Sequence, residues 1–271
     1  MKEQALQIVA AESTDRAKRN RLREYLQHVL LRELFEQDLL EKLLFHGGTA
    51  LRIIYDLARF SEDLDFHLKE PQPDFNLSPY MEALPDRLKK SGYDVTLTTR
   101  LSGQVQSSMI RFTGLLYECG LTPHPNQNLS VKLEIDAKPP AAFSFETSTV
   151  NQYLPYVIHH HDRPTFLAGK LHAMLERAYL KGRDFYDLVF YLNRWKDIEP
   201  NIPYLNNALV QTGYEGVPLT PENWRELVAH KVESVNWEEV IEDVEPFLLR
   251  LEDRKLLKQE LLLGSLRRSD S

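Results

Sequence analysis

The sequence predicts an α+β protein: a mixed sheet with flanking helices, followed by a mostly helical C-terminal half. Three observations predict it. Between residues 43 and 137, short apolar runs and period-two alternations recur between turn residues, the pattern of strands. From residue 166 onward, apolar residues recur instead at three- and four-residue spacing, the pattern of amphipathic helices. Ahead of both, residues 17–44 carry Leu22, Tyr25, Leu26, Val29, Leu30, Leu34 and Phe35 at helical spacing, with charges between them. The expected division is a helical arm at 1–40, an α+β core at 41–150 and a helical lobe at 151–271.

The elements are expected in the following order. Residues 17–44 contain neither glycine nor proline and form one long helix, or two with an unmarked joint. Leu43-Leu44-Phe45-His46 is a short strand entering a tight turn at Gly47-Gly48. Residues 50–58 are a helix with Thr49 as its N-cap. Residues 63–68 alternate as a strand. Pro71, Pro73, Pro79 and Pro85 make residues 70–85 a loop leading into a short helix around 81–91. Residues 93–99, 107–116 and 129–137 are strands, the last closed by Pro139-Pro140. Helices then cover 166–180, with Gly182 as terminator, and 185–195. At least one more lies within 237–263, broken or kinked at Pro246. Residues 263–271 form a basic, serine-containing frayed tail.

Composition narrows the function. At 271 residues the chain can bury a sizeable core, and its 42% hydrophobic and 27% charged content is that of a soluble globular protein. A net charge of −7 argues against a generic polyanion-binding surface, although a local basic groove is compatible with it. One cysteine, Cys119, excludes an internal disulfide framework and a multi-cysteine zinc site. Residues 1–20 lack a signal-peptide core, and no apolar run is long enough for a bilayer. The expected location is cytoplasmic, away from membranes.

The chemistry concentrates between His46 and His67. Asp63 and Asp65 lie two apart on an expected strand, so their carboxylates share a face. Two adjacent carboxylates repel unless a cation joins them or one is protonated. Hard divalent ions such as Mg²⁺ favour this all-oxygen set and keep positions open for phosphate oxygens. Gly47, Gly48 and Thr49 let backbone approach a ligand, and the following helix N-terminus offers free N–H groups to an anion. A phosphate cradle and a metal site within one strand–turn–helix–strand unit suit a triphosphate–Mg²⁺ complex.

The run H-G-G-T-A-L-R from His46 to Arg52, followed by R-F-S-E-D-L-D-F from Arg59 to Phe66, resembles the signature of the AbiEii/AbiGii-type nucleotidyltransferase toxins. That family belongs to the polymerase-β-like superfamily, whose pattern is a glycine-Gly/Ser turn, a spacer and D-x-D. The thirteen residues between Thr49 and Asp63 fit the spacer. The resemblance is specific over about twenty residues and looser from 43 to 192. It implies a polymerase-β-like core and a magnesium-dependent enzyme moving a nucleoside monophosphate from an NTP to an acceptor. The acceptor implied is RNA, with the tRNA 3′ end foremost, and a cognate antitoxin protein is the implied partner.

Downstream positions complete the expected site. A two-metal centre usually takes a third carboxylate from a neighbouring strand. Lys132, Glu134 and Asp136 share one strand face, and Glu134 is preferred over Asp136. Lys170 and Arg177, seven apart on a helix, share a face. K-L-H-A-M-L-E-R, from Lys170 to Arg177, and the later R-D-F-Y-D, from Arg183 to Asp187, match the family's helix lysine, arginine and R-D-x-x-D segment. The resemblance assigns Lys170 to the triphosphate. It gives Asp187 or Asp184 the task of positioning Lys170 or substrate. Asp184 is also a candidate N-cap, a role compatible with that one.

Arg59 and Ser61 bracket the approach to Asp63. Ser61 is a candidate phosphate ligand and Arg59 a partner for Glu62 or substrate, unless they are a turn residue and a surface ion pair. Arg52 is read as structural. His159, His160 and His161 are consecutive and cannot all face one ion. Cys119 lacks a catalytic histidine partner, and Trp195, Trp224 and Trp237 belong to amphipathic core segments. In the resulting mechanism Asp63 and Asp65 ligate two Mg²⁺ ions and Glu134 completes the ion that activates the acceptor hydroxyl. Lys170 and residues Gly47 to Thr49 hold the triphosphate. The alternatives are adenylylation of a small molecule, such as an aminoglycoside, and a non-catalytic nucleotide-binding module.

Overall fold

The structure is a computed structural model that describes residues 1–177 and 179–267. Helices α1 (Lys2–Ala10), α2 (Asp15–Phe35), α3 (Gly47–Tyr55), α4 (Ser78–Lys90) and α5 (Leu115–Glu118) alternate with strands β1 (Leu43–His46), β2 (Leu64–Leu68), β3 (Val95–Arg100), β4 (Val105–Phe112) and β5 (Leu129–Asp136). Strands β6 (Phe145–Val150) and β7 (Tyr156–His161) follow. The helical run is α6 (Arg163–Glu176), α7 (Gly182–Arg194), α8 (Ile202–Thr212), α9 (Trp224–Glu233), α10 (Trp237–Val244) and α11 (Gln259–Arg267). The expected fold class is therefore the observed one.

Seven strands form one mixed sheet in the order β3-β4-β5-β2-β1-β7-β6. β1 runs antiparallel to β2 and parallel to β7, while β2 runs parallel to β5. The chain divides into two compact units. One comprises Met1–Asp56, Phe60–Pro139 and Thr147–His160; the other comprises Leu57–Arg59, Pro140–Glu146 and the chain from His161 onward. In the first unit, α2 packs against β5, α3 against β1 and β2, and α4 against β3. The strand residues Leu64, Phe66, Val131, Leu133 and Ile135 are buried there. In the second unit, α6 packs on α7, α8 and α9, and α7 also meets α10 and α11. Among the described residues no helix is long and apolar enough to cross a membrane.

Several boundaries move for identifiable reasons. The stretch expected to be helical through residue 44 ends at Phe35, because Asp38 turns the chain with φ of 56°. Helix α2 also buries Asn20, Glu24, Gln27, His28 and Glu33, so its charges are not simply a solvated face. Thr49 is not the N-cap of α3. The helix starts three residues earlier than expected, at Gly47, and the Thr49 hydroxyl donates instead to the Asp63 carbonyl. Pro79 opens α4 and Pro85 lies inside it, so the helix begins before the expected position 81. β4 stops at Phe112, and helix at Leu115–Glu118 replaces the end of the strand expected to reach 116, after Gly114 with φ of 71°.

The C-terminal half departs further. β6, α8 and α9 were not foreseen, and the run of histidines lies on strand β7. α6 ends at Glu176 rather than 180, and the expected helical position Ala178 lies outside the described residues. Gly182 terminates nothing: it is the first residue of α7, and a Cβ there would overlap the Val240 carbonyl of α10. Pro246 does end α10, inside a 3₁₀ turn at Glu245–Phe247. The expected tail is helical to Arg267, and residues 268–271 lie outside the described residues.

Candidate active site

The glycine turn and the carboxylate strand are built into one another. β1 and β2 pair so that His46 stands opposite Asp65, and the chain then turns at Gly47 with φ of 78°. L-residues with a side chain rarely adopt that conformation. Glycine is required a second way, because a Cβ on Gly47 would overlap Asp65 Oδ2. The α3 N-terminus thus lies against the Asp65 carboxylate. The His46 side chain does not cap this first turn, whose N–H groups face the side where an anion would sit.

Beneath the turn, the backbone leading to Asp63 is held by polar contacts. The Thr49 hydroxyl donates to the Asp63 carbonyl, and buried Gln27 Nε2 donates to the Ser61 carbonyl at 3.1 Å. Sequence reading missed Gln27 because a lone glutamine among the charges of α2 carries no motif. Its signal is a polar residue inside an otherwise apolar helical stripe. Arg52 binds Glu24 at 2.5 Å and lies 4.6 Å over the Phe60 ring.

Asp65 and Glu134 share one face of the sheet, and Asp63, just ahead of β2, is near enough to act on the same Lys132 charge. β5 alternates buried and half-buried positions, which sets Lys132, Glu134 and Asp136 on the face away from Leu133 and Ile135. The parallel register places Glu134 directly beside Asp65, and Asp136 beside His67. Asp136 is engaged elsewhere, accepting from the Lys138 amide at 2.8 Å and from Gln104 at 3.2 Å. Glu134 is paired with Lys132 at 2.7 Å. The Lys132 ammonium is held above its ordinary range, first by its hydrogen bond to Glu134, with the charges of Asp63 and Asp65 adding to it. One lysine therefore partly neutralises a cluster of three acids.

The donor set fits a hard divalent ion: carboxylate oxygens on one rigid face, beside backbone donors for phosphate. Among the described residues, no three His, Cys, Asp or Glu side chains are already drawn together as a cage. Glu134 is instead turned to Lys132.

The second unit brings together the other predicted positions. Lys170 on α6 reaches both aspartates of α7, Asp187 at 2.6 Å and Asp184 at 3.2 Å. Arg177, two turns further along the chain from Lys170, binds the other oxygen of Asp184. Arg59 closes the cluster by gripping Asp187 through Nε at 2.7 Å and Nη2 at 2.6 Å. This adds a partner for Arg59 beyond the expected Glu62 or substrate; Glu62 meets Arg23 at 3.3 Å. It also removes the N-cap reading of Asp184, which sits inside the first turn of α7 while Lys181 holds the cap position. Asp187 is 0% and Arg59 2% exposed, so their pairing is a buried ion pair. Burial pushes the Asp187 carboxyl up, but Arg59 and Lys170 outweigh it and hold it below the usual carboxylate range.

The remaining candidates make other contacts. His159 bonds Thr147 and His160 bonds Ser148, each at 2.8 Å, while His161 stacks on Phe143. Burial pushes the Cys119 thiol up, away from a nucleophilic thiolate. Trp224 is fully buried.

Solved structures place the fold in a class. A provisionally assigned nucleotidyltransferase from H. pylori is 19% identical, with a TM-score of 0.53 and coverage of 90% of this chain and 96% of that chain. JHP933 from Helicobacter pylori is 20% identical, with a TM-score of 0.51 over 90% of this chain and 93% of that one. The seven-stranded sheet and its helices are thus a nucleotidyltransferase-like fold.

The model of the family described as nucleotidyl transferase AbiEii toxin, Type IV TA system, matches residues 28–258. The chain belongs to that family, as His46 to Phe66 led one to expect. It is a nucleotidyltransferase toxin of the toxin–antitoxin kind, a family that brings an NTP substrate and an antitoxin partner. No curated protein matches the chain.

Proposed function

We propose that this protein moves a nucleoside monophosphate from an NTP to the 3′ end of a tRNA, in the cytoplasm, with magnesium. The observation that carries the reading is the fit of the Gly47 turn over Asp65, with Glu134 in register beside it. Asp63, Asp65 and Glu134 would hold the ions, in the face position that leaves Asp136 to Gln104 and Lys138. Magnesium held there would supply charge stabilisation at phosphate oxygens and Lewis acidity toward the acceptor hydroxyl.

The chain's own groups do the rest. The first-turn N–H groups of Gly47, Gly48 and Thr49 hold phosphate oxygens, with Ser61 a further candidate donor. Lys170 neutralises triphosphate charge, and Asp184 and Asp187 fix where its ammonium points. Arg177 is a further candidate for nucleotide phosphate. Arg59 keeps Asp187 ionised and in place. The acceptor oxygen forms a bond to the α-phosphorus, the α–β anhydride bond breaks, and pyrophosphate leaves; the hydroxyl proton passes to solvent. Orientation and electrostatics supply the acceleration, since the transferred group needs little covalent help.

The test is one labelling reaction for each of the four α-labelled NTPs with fractionated cellular RNA and Mg²⁺. Label should enter the tRNA fraction. Asp65→Asn should lower it by on the order of 1,000-fold or more, as expected for the loss of several kcal/mol of charge stabilisation, while the fold persists by circular dichroism. Unlabelled RNA alongside a labelled small-molecule acceptor would overturn the RNA reading, and a fully active Asp65→Asn protein would overturn the metal site.

A further inference from the structure

The second unit contains a cavity of about 220 Å³ beyond the C-terminal end of α6, lined among others by Arg177, Tyr179, Lys181, Asp184, Phe185 and Lys231. Its charges do not balance. Three cations face one carboxylate, and Asp184 is already shared between Lys170 and Arg177. Lys181 and Lys231 are half-buried and form no ion pair among the described residues. Burial, then Arg177 and Arg183, hold the Lys181 ammonium below its ordinary range. Like charges crowded in a partly enclosed space are relieved when an anion joins them.

At the cavity's rim Tyr179 is 68% exposed, with the Arg177 guanidinium 5.9 Å over its ring. An exposed aromatic ring beside cations is the combination that holds single-stranded nucleic acid, the cations on the phosphate and the ring under a base. A flat anion-binding surface would have no use for the ring, and a purely apolar pocket would have no use for the lysines.

We propose that this cavity seats one phosphodiester of the RNA acceptor through Lys181 and Lys231, with the adjoining base stacked on Tyr179. The assignment rests on the reading of RNA as acceptor and adds a subsite to it. The cavity shares Arg177 and Asp184 with the nucleotide's groups, but Lys181, Lys231 and Tyr179 are not among them, so variants at these three test the acceptor alone.

The experiment is fluorescence anisotropy of a labelled single-stranded oligoribonucleotide, and separately of a non-hydrolysable NTP analogue, on the full chain. The K181A/K231A variant should bind the oligoribonucleotide about ten-fold or more weakly at low salt. Its log affinity against log salt should flatten by about 0.7 for each phosphate that the two lysines neutralise in the wild type. Y179A should weaken binding by about ten-fold and Y179F should retain it. NTP-analogue affinity should stay within about two-fold of wild type, and K181R/K231R should behave like wild type. Unchanged oligoribonucleotide affinity in K181A/K231A would overturn the subsite. Equal loss of NTP-analogue affinity would reassign the cavity to the free nucleotide and overturn it too. A failure of the RNA reading shows itself differently: wild-type protein would then leave RNA unlabelled by every α-labelled NTP.

Discussion

At the scale of single residues, Gly47 and Arg59 bear the most weight. Gly47 combines a left-handed φ with a close approach to Asp65, so alanine there meets two penalties at once. Gly47→Ala should lower unfolding stability by about 1–3 kcal/mol, the cost of a Cβ in that conformation together with the displacement of Asp65. Urea denaturation checks the stability. Turnover should fall by much more than stability does, because Asp65 must move to admit the methyl group. An alanine variant with wild-type stability and turnover would refute the close approach. Arg59 poses the complementary case. Its fork fits Asp187 with two parallel bonds that a lysine cannot reproduce. Arg59→Ala would leave a buried carboxylate short of a cation and should cost on the order of 3–5 kcal/mol, read by the same denaturation. Arg59→Lys should recover only part of it. The glycine turn was legible in the sequence because its chemistry is local. The Arg59 partner was not, because Asp187 lies 128 positions away and Glu62 offered a nearer carboxylate.

At the scale of elements, register decides what face-sharing alone could not. Alternation along β5 was readable and put Glu134 and Asp136 on one face, with Glu134 preferred. The pairing of β2 with β5 separates them, setting Glu134 beside Asp65 and Asp136 beside His67. Accordingly Glu134→Gln should depress NTP transfer by about 100-fold or more, the loss expected of a group that stabilises charge in the reacting complex. Asp136→Asn should change transfer by only a few-fold, roughly what a loop hydrogen bond is worth. Initial rates for the two variants at saturating NTP settle the order, and the reverse order would place the third carboxylate at Asp136. Helix joints were the least legible features. α2 ends where Asp38 adopts a left-handed turn, and no glycine or proline marks that place. Gly182 misled in the opposite sense. It looked like a terminator, but its work is to let α7 approach the α10 backbone. β6, α8 and α9 went unseen because their amphipathic signals are short and lie between polar stretches.

At the scale of the whole molecule, the polar groups buried in the helices make stability depend on pH. His28 on α2 is fully buried, with Nδ1 2.9 Å from the Tyr156 hydroxyl. Burial, only partly offset by Glu24, lowers its pKa from the ordinary 6.5 to about 4. The folded pKa is thus below the unfolded one, and between these two values the unfolded chain binds the proton that the folded chain refuses. Stability from His28 is full above pH 6.5 and is lost as pH falls toward 4. The difference amounts to about 3 kcal/mol by linkage. Asp187 has the same sign but acts lower. Its depressed pKa contributes stability above the usual carboxylate range, and that stability is lost only in more acid solution. Urea titrations from about pH 7.5 down to about 4.5 should therefore show unfolding free energy falling through the His28 window before Asp187 contributes. His28→Gln can still bond the Tyr156 hydroxyl but does not titrate. It should be less stable than wild type near neutral pH and should lose less of its stability on acidification. If the two proteins lose stability in parallel across that window, His28 is not the group responsible, and the acid dependence comes from other groups, such as His172, whose pKa burial also lowers.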